Sequence, residues 1–139
     1  MNEKLIEYFN KQPRLGTLST AGKDGRVNVA YFGSPRMTDP KTLFMGLGNN
    51  RSLANLKENP WAAYMILEPG KTLAEWKGVR LYLKVTEIET DGTKLEQIRM
   101  FIAEKAGSNA AKMIQAAVTF EIIEIRPLAD FGQGWEKSI

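Results

Sequence analysis

Thr42 to Pro60 narrows what this chain can fold into more than any other stretch, because a buried strand must become a helix there within a few residues. Leu43 to Leu47 is a short apolar run and reads as a strand. Gly48 and Asn49 break it. Asn50, Arg51 and Ser52 then open an amphipathic helix over Ser52 to Glu58, which Pro60 terminates. A helix start presents unpaired backbone N–H groups and the positive end of the helix dipole. Arg51 adds a permanent charge with a fork of donors, and Ser52 adds a hydroxyl, so this corner can seat a phosphate. Asn or Ser at a helix start also serves simply as a cap, and the residues leave both readings open.

The rest of the chain reads as strands with a few helices. Glu3 to Lys11 forms a short leading helix with Leu5, Ile6, Tyr8 and Phe9 on its apolar face, ended by Pro13. Arg14 to Thr20 is a strand, and Asp24-Gly25 turns it back as a hairpin. Arg26 to Gly33 alternates, with Val27, Val29 and Tyr31 opposite Asn28, Ala30 and Phe32. Ser34 to Lys41 carries two prolines and reads as a loop. Trp61 to Leu67 is apolar nearly throughout, as for a strand buried on both faces. Val79 to Glu89 and Val118 to Ile125 alternate, and Thr93 to Lys105 has helical spacing. The tail from Asp130 to Trp135 reads as flexible. Six strands joined mostly by hairpin-length links predict a mainly β single domain over 1–139, a small antiparallel split β-barrel with short flanking helices.

Composition excludes whole classes of chemistry. The chain has no Cys and no His, so no thiolate nucleophile, disulfide framework, cysteine zinc site, Ser-His-Asp triad or His-ligated haem is available. Redox chemistry would have to come from a bound cofactor. No apolar run reaches membrane-span length, and the N-terminus mixes both charges without a secretory apolar region, so a cytoplasmic protein is expected. The net charge of +3 and pI of about 9.2 favour anionic partners mildly.

Leu43-Phe44-Met45-Gly46, Asn50-Arg51-Ser52, Glu58-Asn59-Pro60-Trp61 and Trp76-Lys77-Gly78-Val79-Arg80-Leu81 occur in an order that resembles the pyridoxamine-phosphate oxidase-like FMN-binding split barrels. The resemblance runs from about Tyr8 to Arg126. It implies FMN as cofactor, with Arg51 and Ser52 on its phosphate and Asn50 beside them. Met45 and Gly46 fall on the strand whose backbone approaches the ribityl chain and ring. Asn28, Val29 and Ala30 fall along the flavin's pyrimidine edge. Lys77, Gly78 and Val79 fall where a second subunit reaches the flavin, so a homodimer with two shared sites is implied. The tail carries Trp135 without an Arg or His beside it, a departure that argues against pyridoxamine phosphate oxidation.

The function expected is therefore a small flavin-dependent oxidoreductase exchanging electrons with a small-molecule donor or acceptor. No catalytic side chain is assigned. A flavin-binding or electron-transfer protein without an enzymatic role is the alternative. A nucleic-acid-binding small barrel is the third reading, and it lacks the clustered basic residues interleaved with aromatics that such a surface needs.

Overall fold

A computed structural model describes residues 2–139. Helix α1 spans Asn2–Asn10, α2 Arg51–Glu58, α3 Thr93–Ala106 and α4 Ser108–Lys112. Strands β1 to β7 span Gly16–Ala21, Val27–Tyr31, Arg36–Asp39, Thr42–Leu47, Trp61–Glu68, Lys77–Glu89 and Ala116–Pro127. All seven join one antiparallel sheet in the order β2-β1-β5-β6-β7-β4-β3. The sheet does not close, since β2 and β3 remain as its edges. It nevertheless curls around one core. Leu18, Leu43, Leu47, Tyr64, Leu81 and Phe120, from five different strands, are all fully buried. Two register shifts in the long β6–β7 ladder, at Tyr82/Leu83 and Val85/Glu87, supply the local bend that such curling needs.

Two helices stopper the ends of this half-barrel. α1 inserts Leu5 and Phe9 at one end, where the Phe9 and Tyr64 rings lie 5.5 Å apart. Burying two side chains of this size is worth about 1.5–3 kcal/mol each. α2 covers the opposite end with Leu53 and Leu56, and Asn55 donates to the Thr20 hydroxyl at 3.0 Å.

The structure departs from the sequence reading at three places. Residues 36–39, read as loop, form a seventh strand against β4. Their support is remote: the Asn10 amide donates to the Met37 carbonyl at 2.7 Å and accepts the Met37 N–H at 2.9 Å. Strand β5 is buried on one face only, with Tyr64 and Ile66 inside and Trp61 exposed. The tail is tied down. Trp135 packs on the core from a short 3-10 turn at Trp135–Ser138, and the Leu128 N–H donates to Ser138 Oγ at 3.1 Å. Arg80 and Arg126 both grip Asp130 in the same tail.

Candidate functional site

The start of α2 is built much as its residues suggest. Asn50 is extended and its side-chain oxygen accepts the Leu53 N–H at 2.9 Å. Asn50 is therefore spent as a cap. The backbone N–H groups of Arg51 and Ser52 keep no partner among the described residues. Ser52 is 2% exposed, and the Asn28 amide reaches its Oγ in a long contact of 3.4 Å. Asn28 comes from β2 and Ser52 from α2, so the fold joins two residues far apart in sequence.

Beside this corner lies an open polar cleft of about 790 Å³, lined among others by Lys23, Asp24, Arg26, Asn28, Arg51 and Glu58. Arg26 sits 3.5 Å from Asp24, and Glu58 accepts the Lys23 backbone N–H at 3.3 Å. Arg51 forms no ion pair among the described residues. An unpaired guanidinium beside free helix N–H groups, with two more cations across the cleft, is a donor set that suits a phosphate monoester. Lys23 and Arg26 escaped the sequence reading because the Asp24-Gly25 turn accounted for their segment. The signal was there in Lys23-Asp24-Gly25-Arg26, a hairpin tip carrying two cations.

The other sequence-assigned residues lie elsewhere. Val29 is exposed on the outer face of edge strand β2, and Ala30 is half-buried two residues from Asn28 on the same face of the strand. Met45 turns its side chain into the core at 1% exposure. A Cβ on Gly46 would stand 2.7 Å from Ile98 and 2.8 Å from Ile114, so its smallness admits these two side chains. Lys77, Gly78 and Val79 pair with Glu68, Leu67 and Ile66 at the α1 end of the sheet. The row of Ile66 and Gly16 is four residues, about 13 Å, from the row of Thr20 and Asn28. Within one chain, Lys77 to Val79 and Arg51 occupy opposite ends of the half-barrel.

Residues 2–129 match the family described as pyridoxamine 5'-phosphate oxidase. The chain belongs to that family. Solved structures place the pyridoxamine 5'-phosphate oxidase fold of this chain among varied company. An FMN-binding protein from Syntrophomonas wolfei subsp. wolfei superposes with a TM-score of 0.81 at 23% identity, covering 93% of this chain and 86% of that one. HupZ of Group A Streptococcus gives 0.74 at 18% identity, with 92% and 94% covered. The heme storage protein HutZ of Vibrio cholerae gives 0.68 at 21% identity, with 90% and 94% covered. These likenesses establish the split-barrel fold. By sequence, the chain matches no curated protein. No helix among the described residues is long and apolar enough to cross a membrane.

Proposed function

We propose that this member of the pyridoxamine 5'-phosphate oxidase family binds FMN, with the phosphate held at the start of α2, and serves as a small flavin-dependent oxidoreductase. The observation that carries the reading is the unpaired Arg51 guanidinium beside the free N–H groups of Arg51 and Ser52, facing a cleft that Asn28 also lines. In this role Arg51 neutralises the phosphate, the helix N–H groups orient it, and Asn28 on β2 offers an amide to the ligand. Met45 and Gly46 would contribute backbone alone. Bound flavin supplies hydride or electron transfer, and the protein's part is to bind, orient and shield it. The S. wolfei FMN-binding protein, with its shared fold, supports this choice of cofactor. Arg51→Ala is expected to weaken FMN binding about ten- to a hundredfold, the worth of a charge-assisted hydrogen bond, and to leave riboflavin binding nearly unchanged. Fluorescence titration with both ligands tests this, and equal losses would remove Arg51 from the phosphate.

The same reading calls for a homodimer, since Lys77 to Val79 can meet a flavin at Arg51 only from another subunit. A surface suited to it exists. Val27, Val29 and Tyr31 project from β2 at 84%, 65% and 62% exposure, and Trp61 is 51% exposed on β5 of the same sheet. Exposed apolar side chains gathered on an edge strand mark an interaction surface. Sedimentation is expected to show twice the 15.6 kDa chain mass, and Val27→Glu to shift it toward monomer with loss of FMN affinity. A wild-type monomer at micromolar concentration with full flavin affinity would refute the shared site.

A further inference from the structure

The outer face of the sheet ends in an aromatic side chain that its own chain leaves uncovered. Cross-strand pairing lines up Tyr31, Thr17, Met65, Arg80 and Arg126 in one row, and Val29, Ser19, Ala63, Tyr82 and Glu124 in the next. Both rows face away from the core, because the fully buried Leu18, Tyr64 and Leu81 alternate with them. The face is apolar at its β2 border and charged at its β6–β7 border. The tail folds onto the charged border, where Arg80 Nη2 and Arg126 Nε donate to one Asp130 carboxylate oxygen at 3.1 and 2.6 Å. Phe131 follows at 88% exposure.

Phe131 is exposed without being loose. Gln133 Oε1 accepts the Phe131 N–H at 2.7 Å, Asp130 Oδ1 accepts the Gly132 N–H at 3.1 Å, and the Gln133 amide donates to the Ala129 carbonyl at 2.7 Å. A loop bonded to itself in this way holds its apolar tip in place, which lowers the entropy cost of burying that tip against a partner. The exposed Val27, Val29 and Tyr31 are out of its reach within one chain, since β2 and β6 are three strand spacings apart, about 14 Å along the sheet.

A second copy brings the two borders together. Stacking β2 on the partner's β2 would leave both Phe131 rings in water. Laying β2 under the partner's tail covers β2 and Phe131 in one self-complementary contact. The proposed shared site fixes the direction. Lys77 to Val79 of one subunit must reach Arg51 of the other, and the tail runs beside them, with Leu128 Cδ1 3.3 Å from the position of a Cβ on Gly78. The tail therefore arrives at the Val27 end of the partner's β2 and not at Tyr31. That end is the rim of the Arg51 cleft, whose described lining has Val27 as its one large apolar residue and no aromatic. The cleft can seat a phosphate, but by itself it offers a flavin ring almost no apolar wall.

We infer, taking FMN at Arg51 as proposed above, that Phe131 of each subunit packs on Val27 of the other and supplies the apolar wall that the Arg51 cleft lacks. Each site is then complete only in the dimer.

The chain has no native Cys, so engineered pairs report the contact without background. Val27→Cys combined with Phe131→Cys, treated with a short bis-maleimide in the absence of flavin, is expected to run as a covalent dimer on a denaturing gel. Both positions are exposed, so the fold tolerates the changes. Neither single variant is expected to cross-link, nor is Tyr31→Cys combined with Phe131→Cys, because Tyr31 lies four residues, about 13 Å, along β2 from Val27. Phe131→Ala is expected to weaken FMN and riboflavin binding by the same factor, about three- to tenfold, since it removes a ring contact and touches no phosphate. Phe131→Trp is expected to retain both affinities. A cross-link through Tyr31, no cross-link through Val27, or unchanged riboflavin affinity in Phe131→Ala would each overturn the assignment. A Val27–Phe131 cross-link in a chain that binds neither flavin would instead remove FMN from Arg51, and with it the role of Phe131 as a wall, while leaving the contact between subunits.

Discussion

Arg14→Ala is expected to lower stability by about 3 kcal/mol or more, because it strips three backbone carbonyls of one shared donor. Arg14 is only 6% exposed. Its guanidinium donates to the carbonyls of Phe9, Gly33 (2.7 Å) and Pro35 (2.5 Å), and packs 4.7 Å from the Phe9 ring centroid and 5.8 Å from that of Tyr64. No carboxylate pairs with it among the described residues, so the cation is compensated by carbonyl dipoles and π faces. Burial lowers its pKa, and burial likewise pushes the neighbouring Tyr64 phenol up to about 12, leaving that hydroxyl neutral and donating to the Phe32 carbonyl at 2.6 Å. One side chain thus ties the end of α1 to the β2–β3 connection. For a chain of this size the loss corresponds to a melting temperature lower by about 10 °C. Arg14→Lys should recover little, since an ammonium cannot span three carbonyls in one plane. A thermal scan checks both, and an unshifted transition in Arg14→Ala would show that the knot contributes no net stability.

Gly78→Ala is expected to cost about 3–5 kcal/mol, a large part of the stability of an ordinary domain. A Cβ at Gly78 would stand 2.0 Å from the Ile66 carbonyl oxygen, which is backbone and has nowhere to go, and φ is +154°, a conformation that L residues rarely adopt. Gly78 begins β6 opposite Leu67, so the clash would pry β5 from β6 where the ladder starts. Urea titration of flavin-free protein measures this directly. The same position also carries the expectation that a partner subunit reaches the flavin there. Normal stability combined with weakened FMN binding would transfer the explanation of Gly78 from packing to the ligand.

Much of the fold was legible from local pattern. Period-two alternation in residues 79–89, the Gly48-Asn49 break and the Asn50 cap depend on neighbours in sequence, and these elements stand close to where alternation and capping put them. Strand β3 was not legible, because it has one core residue, Met37, and its stabilising partner Asn10 lies on another element. The same limit governs the tail. Asp130 and Gly134 look like flexible-loop residues until Arg80 and Arg126 arrive from β6 and β7.

What the sequence by itself determined was the β architecture, its helix-opening Arg51 corner, and the exclusion of every chemistry that needs Cys or His. Tertiary structure alone decided which cations share a cleft, and which glycines are small for the chain's own sake. Lys23 and Arg26 face Arg51 because α2 folds back across β1 and β2. Gly46 is small because Ile98 and Ile114 close over it. Alternation and capping act over a few residues and can be read along the chain. Shared clefts and steric exclusion arise between segments that are distant along the chain, and they exist only once the sheet has curled.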